Sequence, residues 1–282
     1  MNVTFSVLDG YGLSGALWRK FPLDAILAGN RSVGFGFFDD FKSFHANSLD
    51  GQYLILEGAN ATVEQVACTG NTPTTGLGLV QLTTTGAGSG GTDEEAVLQW
   101  GRGLCAPFKL VDHDLGFEAR IMVSEITAAK WAWGIGLGEI GMGATDCLFV
   151  DTTGALADKN FCGFNHLYAE AGAVDACYKA DGQTYQDGAT KTKLNALHTM
   201  VAGTFVKLGF RYFAHPKRLE FYVNGALTSA GTSSESSLTT AELDAATFPD
   251  DVFMAPIFGL KDIAGDDSVY AQMDWWCCAQ TV

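Results

Sequence analysis

Asp112-His113-Asp114 sets an imidazole between two carboxylates, the kind of neighbourhood in which a base is oriented for nucleophilic catalysis. No Gly-x-Ser-x-Gly elbow and no reactive-cysteine context accompanies it, so the triplet reads as a surface turn. His45, His166, His198 and His215 lie far apart in sequence and add no second base to it. Hydrolysis of a glycosidic bond needs two carboxylates working as a pair. Glu118 and Glu125 are isolated, and Glu139, in Leu137-Gly138-Glu139-Ile140, has no carboxylate two residues away. Asp250-Asp251 and Asp266-Asp267 could offer oxygen ligands to calcium, but neither has the spacing of a calcium loop, and both read as solvated acidic loops. The cysteines, Cys68, Cys105, Cys147, Cys162, Cys177, Cys277 and Cys278, are odd in number and irregularly spaced, with no CxxC pair and no Cys/His cluster at zinc spacing. They are expected as reduced, mostly buried thiols. Gly86 to Gly91 is not followed by Lys and a helix, which removes a phosphate loop. The expectation is no enzyme, no catalytic residue, no metal and no cofactor.

Residues suited to binding are more evident. Trp131, Trp133, Trp275 and Trp276 could stack on sugar rings, although each pair includes a residue expected in the core. Near the N-terminus, Trp18, Arg19, Lys20, Phe21, Leu23, Ile26 and Leu27 gather aromatic, aliphatic and cationic side chains in an otherwise acidic chain. Those are the residue types that interface centres favour. Such an apolar segment must lie on something, either its own domain or a neighbouring subunit. We expect an arm over residues 1–36 that is mobile when free and docks on a partner through these seven residues. The glycines at 10, 12 and 15 would let it reach.

The elements behind these residues are strands. Leu115 to Val123 places Phe117, Ala119, Ile121 and Val123 on one face and Glu118 and Arg120 on the other. Thr204 to Tyr212 and Arg218 to Val223 alternate in the same way, with His215-Pro216 between them, and Asn224-Gly225 is a strong hairpin signal. Trp131 to Gly138 carries glycine at every second position from Gly134, as where a strand passes close under another backbone or a bulky side chain. Further short runs, at 51–57, 76–82, 96–100, 252–260 and 268–279, extend the pattern, whereas 141–195 is the least legible stretch. The 282 residues, 47% hydrophobic with 34 glycines and 19 phenylalanines, suit one large all-β domain over 37–282. A formal charge of −15 repels phosphate backbones and anionic headgroups, which argues against nucleic-acid and membrane partners. No secretory signal is evident at the N-terminus and no apolar run is long enough for a membrane span, so assembly in a cytoplasm is expected.

The series Phe117-Glu118-Ala119-Arg120-Ile121, Trp133-Gly134-Ile135-Gly136-Leu137, Val206-Lys207-Leu208-Gly209-Phe210 and Leu219-Glu220-Phe221-Tyr222-Val223-Asn224-Gly225 resembles the strands of concanavalin/laminin-G-like jelly rolls over about half the chain. That resemblance implies an antiparallel β-sandwich. It also brings in lectins and glucanases as possible functions, though the Glu-x-Asp-x-Glu strand of the retaining glucanases is missing. An arm with Leu17-Trp18-Arg19-Lys20-Phe21-Pro22-Leu23, then Phe37-Phe38-Asp39-Asp40-Phe41 and a jelly roll, is also similar to capsid decoration (cement) proteins of tailed bacteriophages. This second resemblance implies a virion protein on the capsid exterior. Its partners would be the major capsid protein and further decoration subunits or copies of itself, and it would strengthen joints between capsid subunits. Glycan-binding adhesion on the virion is the alternative.

Overall fold

The computed structural model describes residues 12–41, 53–58, 60–66, 78–85, 95–101, 107–127, 131–142, 148–149, 155–167, 170–228, 237–263 and 268–282. After a one-turn helix, Leu23–Leu27, the strands are β1 (Gly34–Asp39), β2 (Tyr53–Glu57), β3 (Ala61–Val66), β4 (Leu79–Thr84), β5 (Glu95–Trp100), β6 (Leu115–Val123), β7 (Trp131–Glu139) and β8 (Phe161–His166). They continue with β9 (Ala173–Lys179), β10 (His198–Thr199), β11 (Val206–Phe213), β12 (Arg218–Val223), β13 (Ala226–Leu227), β14 (Ser237–Leu238), β15 (Met254–Asp262) and β16 (Val269–Thr281). A short helix, Thr240–Leu243, precedes β15, and Thr239 donates from its backbone N–H and its hydroxyl to the Glu242 carboxylate at the helix start.

Among the described residues the strand pairings are antiparallel. A nine-stranded sheet runs β13-β12-β11-β6-β16-β4-β3, with β1 also on β16 and β14 on β12; a seven-stranded sheet runs β10-β9-β8-β7-β15-β5-β2. The long β16 serves two partners along its length, β4 against Val269 to Met273 and β1 against Trp276 to Thr281. Between them its register with β6 slips at Met273/Trp275, so Asp274 is an extra residue that the Arg120 guanidinium neutralises.

Between the sheets lies one apolar core, built from the inward alternation of each strand. Phe117, Ala119, Ile121 and Val123 of β6 meet Trp131, Trp133, Ile135 and Leu137 of β7, with Phe210, Phe164 and Phe258 among them. The expected alternation of β6, β11 and β12 is therefore observed. So is the opposed orientation of the adjacent cysteines: Cys278 enters this core and Cys277 faces away from it. At the hairpin, Asn224 and Gly225 have φ of 49° and 80°, the left-handed pair that a two-residue type I′ turn requires.

The N-terminal segment departs from expectation. Residues 12–33 are packed on the outer face of the nine-stranded sheet, where Leu13, Leu17, Trp18, Phe21, Leu23 and Ile26 form a second apolar cluster with Tyr222, Trp275, Cys277 and Ala279. Glycines on the sheet make the room. A Cβ at Gly116 would stand 2.5 Å from the Trp18 ring, and one at Gly209 would stand 2.5 Å from Leu17. Polar contacts lock the register: the Trp18 indole N–H and the Ser14 backbone N–H both donate to Glu118 Oε2, at 2.9 and 3.0 Å. Arg211 donates to the carbonyls of Leu17 and Arg19, and Lys207 to that of Gly12. The expected boundary between an arm and a sandwich, at residues 36 and 37, falls inside β1.

Candidate functional site

The outer face of the seven-stranded sheet is floored with glycine. Gly134, Gly136 and Gly138 of β7 lie beside Gly163 of β8 and Gly259 of β15. Gly136 and Gly163 face one another so closely that a Cβ on either would collide with the other strand's backbone. Over Gly134 and Gly259 sit Leu148 and Phe149, and over Gly138 sits Met142. With Leu156, Phe161 and Ile257 they make a third apolar cluster that fills the middle of this face. A buried pair holds the covering segment in place: Leu148 N–H donates to Glu95 Oε1 at 3.0 Å, and Lys261 Nζ, 3.7 Å from Glu95 Oε2, reaches the Phe149 carbonyl. The strict alternation of glycine in β7, evident in the sequence, thus makes room for both a neighbouring backbone and bulky side chains.

Towards the β9 edge the same face is polar beneath the surface. Asn165 and Asp175 are directly opposed on β8 and β9. Asp175 accepts from the Gly188 and Ala196 backbone N–H groups, and Asn165 bonds the Tyr185 hydroxyl. Asp187 caps the turn that follows it, accepting from the N–H groups of Ala189 and Thr190. Burial pushes the Asp175 carboxyl above its ordinary value, and the nearby Asp187 adds to this. Glu170, on the turn between β8 and β9, is pushed up to about 7 by burial, with Asp175 and Asp187 reinforcing the shift. Its Oε2 lies 3.9 Å from Nδ1 of His166, whose ring is buried against Trp131 and kept mostly neutral by that burial. This cluster braces the loop from Tyr185 to Leu197; among the described residues no group of three or more His, Cys, Asp or Glu side chains is arranged to hold a metal.

Accessible polarity lies at the end of the sheet where β7 ends, β8 begins and β9 ends. Two loops meet there and are stitched through backbone amides. Asp158 Oδ1 accepts from the Gly182 N–H at 2.9 Å and from Lys179 Nζ at 2.9 Å, while Asn160 Oδ1 accepts from the Asp181 N–H at 3.0 Å. Glu139 in turn accepts from both nitrogens of Asn160 and pairs with Lys159 at 3.0 Å. The hydrogen bonds from Lys179 and Gly182 hold the Asp158 carboxyl below its ordinary value. Its side chain is 64% exposed, so an ionised oxygen faces water in a fixed orientation beside the half-exposed ammonium of Lys159. Asp181, Gln183 and Thr184 continue the exposed polar rim.

The residues singled out in the sequence fall elsewhere. Trp18, Phe21, Leu23 and Ile26 are buried on the chain's own sheet, and Leu27 packs against the same cluster, because the glycine-lined sheet face offers them apolar cover without a partner. Of the seven expected anchors, Arg19 and Lys20 alone are exposed. Trp131, Trp133, Trp275 and Trp276 are all buried and none presents a ring to a ligand. Asp112-His113-Asp114 lies in a turn, where Asp114 accepts from Ala214 N–H and pairs with Arg211. Of the acidic pairs, Asp250-Asp251 is in a loop and Asp266-Asp267 lies outside the described residues, as do Cys68, Cys105, Cys147 and His45. The apex residues Asp158, Lys159, Asn160 and Asp181 were not anticipated; the Asp181-Gly182 turn signal was their only cue.

Two antiparallel sheets of nine and seven strands, with β16 spanning one of them, match known architectures over nearly the whole chain. The fold is a lectin-like jelly roll. A protein of unknown function from Shewanella oneidensis MR-1 superposes with a TM-score of 0.53 at 15% identity, covering 93% of each chain. The potassium-bound carbohydrate recognition domain of Emp46p gives 0.52 at 10% identity, covering 85% of this chain and 94% of that one. Peanut lectin gives 0.50 at 13% identity, covering 88% and 97%. No protein-family model and no curated protein sequence matches the chain. At these identities it is the jelly roll that is shared, and the expected concanavalin-like sandwich is observed.

Proposed function

We propose that this jelly roll is a non-catalytic carbohydrate-binding protein whose ligand sits at the loop apex formed by Glu139, Asp158, Lys159, Asn160 and Asp181. The observation that carries the reading is Asp158, an exposed carboxylate fixed by one backbone amide and one lysine. A sugar presents vicinal hydroxyls, each a donor and an acceptor. A carboxylate whose own geometry is already fixed accepts them without further ordering cost, and such charge-assisted hydrogen bonds are the stronger kind. The half-exposed ammonium of Lys159 lies beside it to donate to the acceptor side of the same hydroxyls. Loops carried on a rigid two-sheet scaffold are the usual place for recognition. Similarity in fold to a carbohydrate recognition domain and to a lectin supports carbohydrate binding.

The capsid role expected from the N-terminal segment depended on a free apolar arm. That segment is packed on the chain's own sheet. The reading is tested on a glycan array, probed with the protein and with its Asp158→Ala variant. Saturable binding to a defined set of glycans is expected, weakened by about tenfold in the variant, the equivalent of ~1.4 kcal/mol. An array that stays blank would overturn it, as would binding that is indifferent to Asp158→Ala.

A further inference from the structure

In a chain of net charge −15, one surface is cationic. It lies where the N-terminal segment crosses β11 and β12, on the outer face of the nine-stranded sheet. Arg211 and Arg218 both lie against the Phe213 ring, with guanidinium carbons 4.3 and 3.5 Å from its centroid. Arg211 also faces Phe21, and it holds the Arg19 carbonyl, which brings the exposed Arg19 and Lys20 to the same place. Two carboxylates touch this group: Asp114, 3.4 Å from Arg211, and Glu220, 2.8 Å from Nε of Arg218. Four cations against two anions leave a local excess of positive charge.

Arg218 gives the group its shape. Its Nε is committed to Glu220, which itself is fixed by the Tyr222 hydroxyl, and its planar head is held flat on Phe213. The side chain is 34% exposed, and no partner for its two η nitrogens occurs among the described residues. Two parallel N–H donors in a fixed plane match a carboxylate or a sulfate, which accept in bidentate fashion. Arg19 and Lys20, exposed on the segment whose carbonyl Arg211 holds, add positive charge to the same surface. A long polyanion such as nucleic acid would meet the repulsion of the remaining acidic surface, whereas a single anionic group on a neutral chain would not.

We infer that the Arg19-Lys20-Arg218 surface is a second site, which takes the carboxylate or sulfate group of an acidic glycan. The inference rests on the proposed carbohydrate binding and adds to it a preference for acidic ligands. Calorimetric titration with a neutral oligosaccharide bearing a single uronate, its methyl ester, a singly sulfated oligosaccharide and its desulfated parent tests it, using the full chain. The acidic forms are expected to bind about tenfold more tightly than their neutral parents. Arg218→Gln and the double variant Arg19→Ala/Lys20→Ala should each abolish that preference while leaving the neutral affinity and the melting temperature as they were. Arg218→Lys, which keeps charge but loses the fork, should restore only part of it. Neutral sugars binding as well as acidic ones would overturn this inference and leave the apex reading standing, as would a preference that survives both variants. Absence of binding to either class overturns both.

Discussion

At the scale of single residues, the side chains that resemble interface anchors turn out to be interior ones. Trp18 is sealed beneath the sheet face and its indole N–H answers a buried carboxylate, Glu118, whose protonation burial favours. Trp18→Ala is therefore expected to destabilise the folded chain by about 3–5 kcal/mol, through lost burial and a cavity. Thermal denaturation checks this, and an unchanged melting temperature would show the segment to be peripheral. Composition alone could not separate the two fates, because an anchor for a partner and an anchor for one's own sheet use the same residue types. What decided between them were Gly116 and Gly209, whose role in leaving room depends on which strands lie side by side. A second expectation concerns His166 and Glu170. Burial lowers the His166 pKa, so as pH falls through 6.5 the unfolded chain takes up the proton first and stability is lost. Glu170 acts oppositely: its folded value is raised to about 7, so between pH 7 and 4.5 the folded chain binds the extra proton and gains stability. Glu170→Gln removes the compensating gain. Its stability should fall more steeply than that of the wild type between pH 7 and 5, as read by denaturant melts; parallel profiles would contradict it.

At the scale of elements, the strands of strict alternation were legible and the segment joining them was not. β6, β11 and β12 each bury one face in the core, so period-two patterning identified them and their inward residues. β8 and β9 were only vaguely anticipated, because apolar side chains are buried on both faces, Phe161 and Cys177 in the outer cluster and Cys162, Phe164, Ala176 and Tyr178 in the core, which blurs the alternation. The apex loops between 139 and 160 and after Lys179 carry no periodicity at all, so Asp158 could not be read as a site from sequence. The hairpin at Asn224-Gly225 was legible because its turn demands particular residues. Gly225 has φ of 80°, and a Cβ there would also stand 2.9 Å from Ser14 Oγ. Gly225→Val should cost at least about 1 kcal/mol, by strain in the turn and by pressing on the N-terminal segment. An unchanged melting temperature would count against both contacts.

At the scale of the molecule, the two faces of the jelly roll are used differently. Among the described residues, the chain's own N-terminal segment covers the nine-stranded sheet over β6, β11, β12 and β16, and Leu148, Phe149 and Met142 cover the middle of the seven-stranded sheet. At the apex the outward groups are polar and held by hydrogen bonds to backbone. Such a surface suits small hydrophilic ligands that are recognised by direction more than by area. The most direct measurement is chemical-shift mapping of backbone amides in the ¹⁵N-labelled protein during titration with the best glycan from the array. Carbohydrate binding at the apex predicts saturable shifts concentrated at Glu139, Asp158, Lys159, Asn160, Asp181 and Gly182, and their loss in Asp158→Ala. Shifts confined to other parts of the surface, or none at saturating glycan, would contradict it.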